Sequence, residues 1–179
     1  FLLISLVYFS EFVFSDKVLY GIDSGTDYHQ GRESLVEKVR GLAPPVWNFK
    51  MGGYPQSEEI RHHYIPTHLI YLFTTFHRHL GWRYILTMFL AGWAMYGYLR
   101  ELQIQRWVAV WAGVAYMSAP TLMTFTFAGH YAKMAVIALF PLMCLLLERG
   151  MNRGRLLYFA GLGVLIALGI YTPHLQMVY

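Results

Sequence analysis

The sequence has few charged residues and a single cysteine, and each shortage narrows the class of protein it encodes. Asp, Glu, Lys and Arg make up 13% of the 179 residues, about half the share of an average soluble domain. The lone Cys144 excludes a disulfide within the chain. The basic residues are scattered and the net charge is only +4, which argues against nucleic-acid binding. The sequence also lacks a P-loop, a dinucleotide fingerprint, a nucleophile elbow and a zinc-helix histidine pair.

Long hydrophobic runs dominate what is present. Hydrophobic residues make up 56% of the chain, and a membrane-spanning helix needs about 20 of them in sequence. Five runs suit this role: 1–14, 82–99, 107–127, 134–147 and 156–171. They predict an all-α polytopic membrane bundle of about five transmembrane helices, forming one domain over residues 1–179. Because the first run lacks an initiator Met and signal-peptide features, and the last pattern stops abruptly, we interpret the sequence as a fragment truncated at both ends.

Arginines in two short connections predict the orientation of this bundle. Residues 100–106 contain two arginines and residues 148–155 contain three, so the positive-inside rule places both connections in the cytoplasm. Residues 15–81 then form one long extracytoplasmic loop, in which the short apolar run 64–76 is a juxtamembrane or re-entrant element. All eight histidines fall on the same, extracytoplasmic side. If the run 64–76 instead spans the membrane, Asp23 lies in the cytoplasm.

The long loop contains two further patterns. The stretch GRESLVEKVRG, residues 31–41, alternates apolar and charged positions with helical periodicity, which predicts an amphipathic helix lying in the membrane interface. The stretch LAPPVWNFKMGGYP, residues 42–55, is rich in Pro and Gly and predicts turns. The loop is therefore expected to hold juxtamembrane helices joined by turns.

Two aspartates, Asp23 and Asp27, lie just beyond the first apolar run in YGIDSGTDYHQG. A carboxylate at the membrane surface can act as a general base on a hydroxyl group, or its oxygens can bind a divalent cation such as Mg²⁺ or Mn²⁺. Asp, Ser, Gly and Thr are also ordinary turn residues, so the spacing alone favours a solvated loop over a catalytic or metal site. Asp23 is the stronger candidate for catalysis because it lies nearer the membrane.

The stretch AGHYAKM, residues 128–134, places His130 and Lys133 three positions apart at the start of an apolar helix. Such residues share a helix face, and helix N-termini attract anions, so the pair is a candidate phosphate-binding site. Interfacial anchoring of a Lys beside a His is the alternative. His174 and Gln176, after Pro173 near the end of the sequence, are weaker candidates for binding a phosphate or hydroxyl-rich ligand. Structural zinc is not predicted.

These elements in this order resemble a known family. An outward first helix, the Gly21–Asp23 pair, PPVWNFKMGGYP, AGHYAK and HLQMVY are similar to the YfhO-type bacterial membrane proteins of the glycosyltransferase-C superfamily. The resemblance implies a multi-span helical enzyme that takes a sugar from a polyprenyl-phosphate donor, with an essential acid in its first extracytoplasmic loop. Asp23 would be that acid, with Asp27 as the alternative. His130 and Lys133 would face the lipid phosphate, and His174 and Gln176 would line the same cavity.

The sequence thus predicts an inverting glycosyltransferase, multi-pass in the bacterial cytoplasmic membrane, with its active face extracytoplasmic. Its partners would be membrane lipid and the lipid-linked sugar donor. No cofactor is assigned, and a divalent cation, Mg²⁺ or Mn²⁺, at Asp23 and Asp27 stays open. Two alternatives stay open: a transporter or flippase, which would place polar residues at mid-span, and a non-catalytic membrane scaffold.

Overall fold

Helices form nearly all of the computed structural model, which describes residues 1–19, 21, 47–48, 54–55, 69–70 and 73–170. This confirms the all-α prediction for these residues. The helices are α1 (Leu2–Tyr8), α2 (Ser10–Val13), α3 (Phe76–Glu101), α4 (Arg106–Met117), α5 (Pro120–Ala128), α6 (Tyr131–Arg153) and α7 (Leu156–Ile170).

One antiparallel pairing interrupts this pattern. Strand β1 (Trp47–Asn48) pairs with β2 (Tyr54–Pro55), with Trp47 opposite Pro55. The sequence predicts turns throughout residues 42–55, so the short ladder is a difference from that prediction. The composition of these residues suits a short ladder. Trp and Tyr favour extended structure, and Pro, which has no amide proton, is tolerated at strand positions that donate no hydrogen bond in the ladder. The predicted interfacial helix at 31–41 and most of the run 64–76 lie outside the described residues.

Two helical stretches are long and apolar enough to cross a membrane. They are Arg106–Ala128, which comprises α4 and α5, and Tyr131–Arg153, which is α6. By length and composition alone, these two stretches indicate membrane association only weakly. The longest helix, α3, falls outside this pair; it contains three arginines and a glutamate, at positions 78, 83, 100 and 101. The arrangement with five spans therefore stays a prediction.

Helix α3 begins earlier than the apolar run that predicts it. Its N-cap is Thr75, whose hydroxyl accepts a hydrogen bond from the amide of Arg78 at 3.4 Å. The first six residues of α3, which the sequence pattern leaves in the loop, are therefore helical. Helices α4 and α5, predicted as one span, are likewise separated at Ser118 and Ala119, and Pro120 occupies the first turn of α5, where a missing amide proton is tolerated.

Contacts at both ends show that α3 and α6 run in the same direction. Near their starts, the rings of Tyr84 and Tyr131 lie 5.6 Å apart. Near their ends, Nε of Arg149 lies 2.7 Å from Oε2 of Glu101. The stretch α4–α5 connects the end of α3 to the start of α6, so it runs in the opposite direction to both. The relative directions of these helices are those that the sequence predicts.

The first helices run antiparallel to α3. The ring of Phe1 lies 6.0 Å from that of Tyr96, and the ring of Phe12 lies 5.9 Å from that of Trp82. The bundle therefore has two distinct ends. We call the end at His79 and His130 the histidine end. We call the opposite end, with Arg100, Arg106, Arg149 and Arg153, the arginine end.

Glu101 joins two helices at the arginine end. Its carboxylate accepts hydrogen bonds from Arg149 (2.7 Å) and Arg153 (3.1 Å) of α6. The hydrogen bond from Arg149 and the charges of Arg149 and Arg153 lower the pKa of the Glu101 carboxyl below its ordinary value of 4.5. Burial acts in the opposite direction and does not cancel this effect. The carboxylate consequently keeps its charge, and its pairing with both arginines, throughout the neutral and mildly acidic range.

Two glycines set the distance between α3 and α4. A Cβ atom built on Gly113 would lie 2.8 Å from the carbonyl oxygen of Gly92, and one on Gly92 would lie 3.2 Å from that of Gly113. The backbones of the two helices are therefore in direct contact, and neither glycine leaves room for a side chain. Around this contact the core is filled by buried residues such as Ile85, Met88 and Met117.

A proline inside α6 removes one backbone hydrogen bond, and another helix replaces it. Pro141 has no amide proton, so the carbonyl of Ile137 lacks its usual intrahelical donor. The hydroxyl of Tyr116 in α4 donates to that carbonyl oxygen at 2.8 Å. A side chain of α4 thus completes the backbone hydrogen bonding of α6.

We expect Tyr116→Phe to lower the free energy of unfolding by about 1 to 2 kcal/mol, because the half-buried Ile137 carbonyl would be left without a donor. In a Pro141→Ala background the alanine amide supplies the bond, and the same substitution should cost much less. Chemical unfolding of the four proteins of this double-mutant cycle in neutral detergent measures the difference. Equal costs in both backgrounds would contradict the replacement.

Candidate functional site

The link between α5 and α6 builds the centre of the histidine end. Helix α5 ends at Gly129, whose φ of 87° is left-handed and suits glycine. The amides of Gly129 and His130 both donate to the carbonyl of Phe125, at 3.0 and 2.9 Å. His130 is then the N-cap of α6. Gly129 therefore has a conformational role in the turn.

His130 and Lys133 lie on the same side of the start of α6, as their spacing predicts. The imidazole of His130 meets the ring of Phe125 edge to face, with centroids 6.3 Å apart, and Nζ of Lys133 lies 5.9 Å from the Phe125 centroid. Both side chains are half-buried. An imidazole and an ammonium group therefore flank one aromatic ring. Their role in binding phosphate stays a prediction.

A second group, which the sequence interpretation missed, lies where α3 packs against α6. The guanidinium carbon of Arg83 lies 4.4 Å from the ring centroid of Tyr131 and 6.0 Å from that of Tyr84. The hydroxyls of Thr87 and Tyr131 lie 3.4 Å apart within hydrogen-bonding distance. We call Arg83, Tyr84, Thr87 and Tyr131 the arginine–tyrosine group. The signal was present in the sequence: Arg83 is the only charged residue of the apolar run 82–99.

The two groups lie on different sides of the first turn of α6. Tyr131 faces α3, whereas Lys133, two residues later, faces Phe125 of α5. Residues two apart in a helix point in different directions. The start of α6 is therefore flanked by Arg83 on one side and by His130 and Lys133 on the other.

Arg78 has a structural role at this end. Its guanidinium donates to the carbonyl oxygens of Phe12 (2.6 Å) and Ser15 (2.8 Å), and it stacks 4.1 Å from the Phe12 ring centroid. It therefore satisfies carbonyls at the C-terminal end of α2, where a cation is also favoured by the helix dipole. The next residue of α3, His79, is buried.

Four of the six predicted site residues lie outside the described residues: Asp23, Asp27, His174 and Gln176. The structure therefore brings together His130 and Lys133 only. Cation binding at Asp23 and Asp27 likewise stays a prediction. Within the part of the chain that the structure describes, no group of three His, Cys, Asp or Glu side chains is arranged to hold a metal ion.

Comparison with known proteins assigns no family to this chain. No protein-family model matches it, and neither the curated proteins nor the solved structures contain a match. Any proposal of function therefore rests on the chemistry of the histidine end and on the sequence patterns.

Proposed function

We propose that this chain is a membrane glycosyltransferase of the glycosyltransferase-C type. It would transfer a sugar from a polyprenyl-phosphate donor to an acceptor hydroxyl, with inversion, at the extracytoplasmic face of a bacterial cytoplasmic membrane. The histidine end would be the extracytoplasmic one. The proposal extends the resemblance of the sequence motifs to the YfhO-type proteins.

The observation that carries this proposal is the polarity of the bundle. His130 and Lys133 lie at the end opposite to the Glu101 carboxylate and its two arginines. The chain leaves α2 at that same end, because the carbonyl of Lys17 accepts a hydrogen bond from Arg78 at 3.3 Å. Asp23 follows Lys17 by six residues, and six residues of chain reach at most about 22 Å. This reach limits how far the proposed acid can lie from Lys17, which is at the histidine end.

The proposed reaction is a displacement at the anomeric carbon. Asp23 takes the proton of the acceptor hydroxyl as its oxygen bonds to that carbon, and the bond from the carbon to the phosphate oxygen breaks. The phosphate leaves with the bonding electron pair and gains negative charge. His130 and Lys133 would stabilise that charge, most strongly where lipid excludes water. The polyprenyl tail of the donor would stay in the membrane throughout.

The alternative of a transporter has less support. Its mechanism predicts charged or polar residues along the middle of the spans. In α6, the charged side chains are Lys133 in the first turn and Glu148, Arg149 and Arg153 in the last two. Among the described residues of this helix, the central part is apolar apart from Cys144.

Membrane sidedness and transfer activity test the proposal together. Single cysteines at positions 23, 103 and 152, in a Cys144→Ser background, are treated in whole cells with a membrane-impermeant thiol reagent. We expect position 23 to react directly, and positions 103 and 152 to react only after permeabilisation. The same membranes should transfer a labelled sugar from one of a panel of polyprenyl-phosphate hexoses and pentoses.

Two results would contradict the proposal. One is reaction of position 23 only after permeabilisation, since the acid would then face the cytoplasm. The other is labelling as expected with no transfer from any donor of the panel, which would favour a scaffold.

A further inference from the structure

The guanidinium of Arg83 is held by aromatic rings rather than by a counter-ion. It stacks 4.4 Å from the Tyr131 centroid, and Tyr84, edge to face with Tyr131, lies 6.0 Å away. Its Nε is buried and has no hydrogen-bond acceptor among the described residues. Among the same residues, no carboxylate forms an ion pair with Arg83. The arginines of α6 differ in this respect, because Arg149 and Arg153 both pair with Glu101.

Such an arrangement leaves the guanidinium able to bind an anion. The Arg83 side chain is half-buried, and stacking on a tyrosine supplies only part of the stabilisation that an anionic partner gives. Of the described carboxylates near this end, Glu11 is paired with Lys17 at 2.8 Å and Asp16 is exposed. The described part of the histidine end therefore has an excess of positive charge around Arg83.

The position and shape of the group indicate the class of anion. Arg83 lies seven residues after the start of α3, about 10 Å along the helix axis. An anion bound to Arg83 would therefore lie at the level of the first turn of α6, next to Tyr131. The planar, stacked guanidinium presents a rigid fork of donors that matches phosphate oxygens in a bidentate manner.

We propose that Arg83 binds the phosphate of the lipid-linked donor as the donor enters, on the α3 side of the first turn of α6, before the phosphate reaches His130 and Lys133 on the opposite side. The ligand class is the phosphate monoester or diester of a polyprenyl lipid. The proposal rests on the proposed function for the identity of the lipid. It adds a binding residue that acts before any chemistry, so it can be measured without turnover.

Binding of farnesyl phosphate, a short polyprenyl monophosphate, provides the test. The probe is titrated by calorimetry into the protein in neutral detergent, for the wild type, Arg83→Met and Arg83→Lys. We expect Arg83→Met to weaken binding by about 10- to 100-fold, the usual effect of losing a hydrogen-bonded charged partner. Arg83→Lys keeps the charge and loses the fork, so we expect an intermediate loss. The matched control is Arg155→Met, which removes an exposed arginine at the other end of the bundle and should leave affinity within twofold.

Two further probes identify the ligand. Inorganic phosphate should bind much more weakly than farnesyl phosphate, because it lacks the lipid, and farnesol more weakly because it lacks the charge. Phosphatidylglycerol in mixed micelles should not displace farnesyl phosphate. Displacement by an equal concentration would overturn the assignment, since the site would then recognise membrane headgroups in general.

Unchanged affinity in Arg83→Met overturns the proposal, whatever the activity of the protein. If that variant does not fold, the wild type decides: farnesyl phosphate must slow the reaction of Arg83 with phenylglyoxal, followed by peptide mass spectrometry, and absence of protection overturns the proposal. Binding that depends on Arg83 without any sugar transfer would support this site and contradict the glycosyltransferase. Transfer that survives with full affinity in Arg83→Met would do the reverse.

Discussion

Replacing Asp23 by Asn is expected to reduce sugar transfer by at least 100-fold while leaving the amount of protein in the membrane unchanged. Asn has nearly the same shape and keeps polar atoms in the loop, but its amide does not accept a proton at neutral pH. Loss of a general base typically slows a reaction by about 10² to 10⁴. Initial rates of transfer at saturating donor, normalised to the protein present, measure the effect.

Asp27→Asn is the matched control for that prediction. It removes the same charge four residues later in the same loop, and we expect less than a tenfold loss. If a divalent cation is bound by both carboxylates, each variant should instead need more Mg²⁺ or Mn²⁺ for half-maximal rate. Full activity in Asp23→Asn would contradict the assigned role directly.

The largest expected effect on stability is that of Gly113→Leu. A Cβ atom at this position would lie 2.8 Å from the carbonyl oxygen of Gly92 and from the ring of Phe1. A backbone carbonyl in a helix cannot rotate away as a side chain does, so α3 and α4 must move apart. Overpacking of a tight core costs about 1 to 3 kcal/mol, and we expect about 3 kcal/mol because the obstacle is backbone.

Gly163→Leu supplies the comparison within the same molecule. Gly163 lies inside α7, and nothing is within 4 Å of the Cβ position. Leucine favours the helix over glycine by about 0.5 to 1 kcal/mol, so this variant should be as stable as the wild type or more so. Unfolding by heat or denaturant in neutral detergent compares the two. Equal destabilisation would show that the contact between Gly92 and Gly113 does not limit the distance between helices.

The positions of the helices could be read from the sequence where apolar runs are long, because burial or lipid contact requires continuous apolar residues. The first six residues of α3 could not be predicted in this way, since their helical structure depends on capping by Thr75 and on the docking of Arg78 against carbonyls of α2. The break at Ser118 was missed for a similar reason. A hydropathy pattern does not reveal a change of backbone direction within a run of apolar residues.

For the candidate site, spacing alone predicted that His130 and Lys133 lie together, because both are on one short helical turn. The arginine–tyrosine group required tertiary information. Arg83 and Tyr131 are 48 residues apart in sequence, and only the parallel packing of α3 and α6 brings them into contact. The sequence contains one signal that was not used, namely that Arg83 is a charged residue inside an apolar run.

The hydrogen bond from Tyr116 to Ile137 has a consequence for biosynthesis. During synthesis α4 emerges from the ribosome before α6, so the tyrosine is already present when the proline-containing segment follows. The later helix therefore completes its backbone bonding by docking against an earlier one, in the order in which the chain is made. In a circular permutant with α6 ahead of α4, the Ile137 carbonyl would have no hydrogen-bond donor until α4 is synthesised.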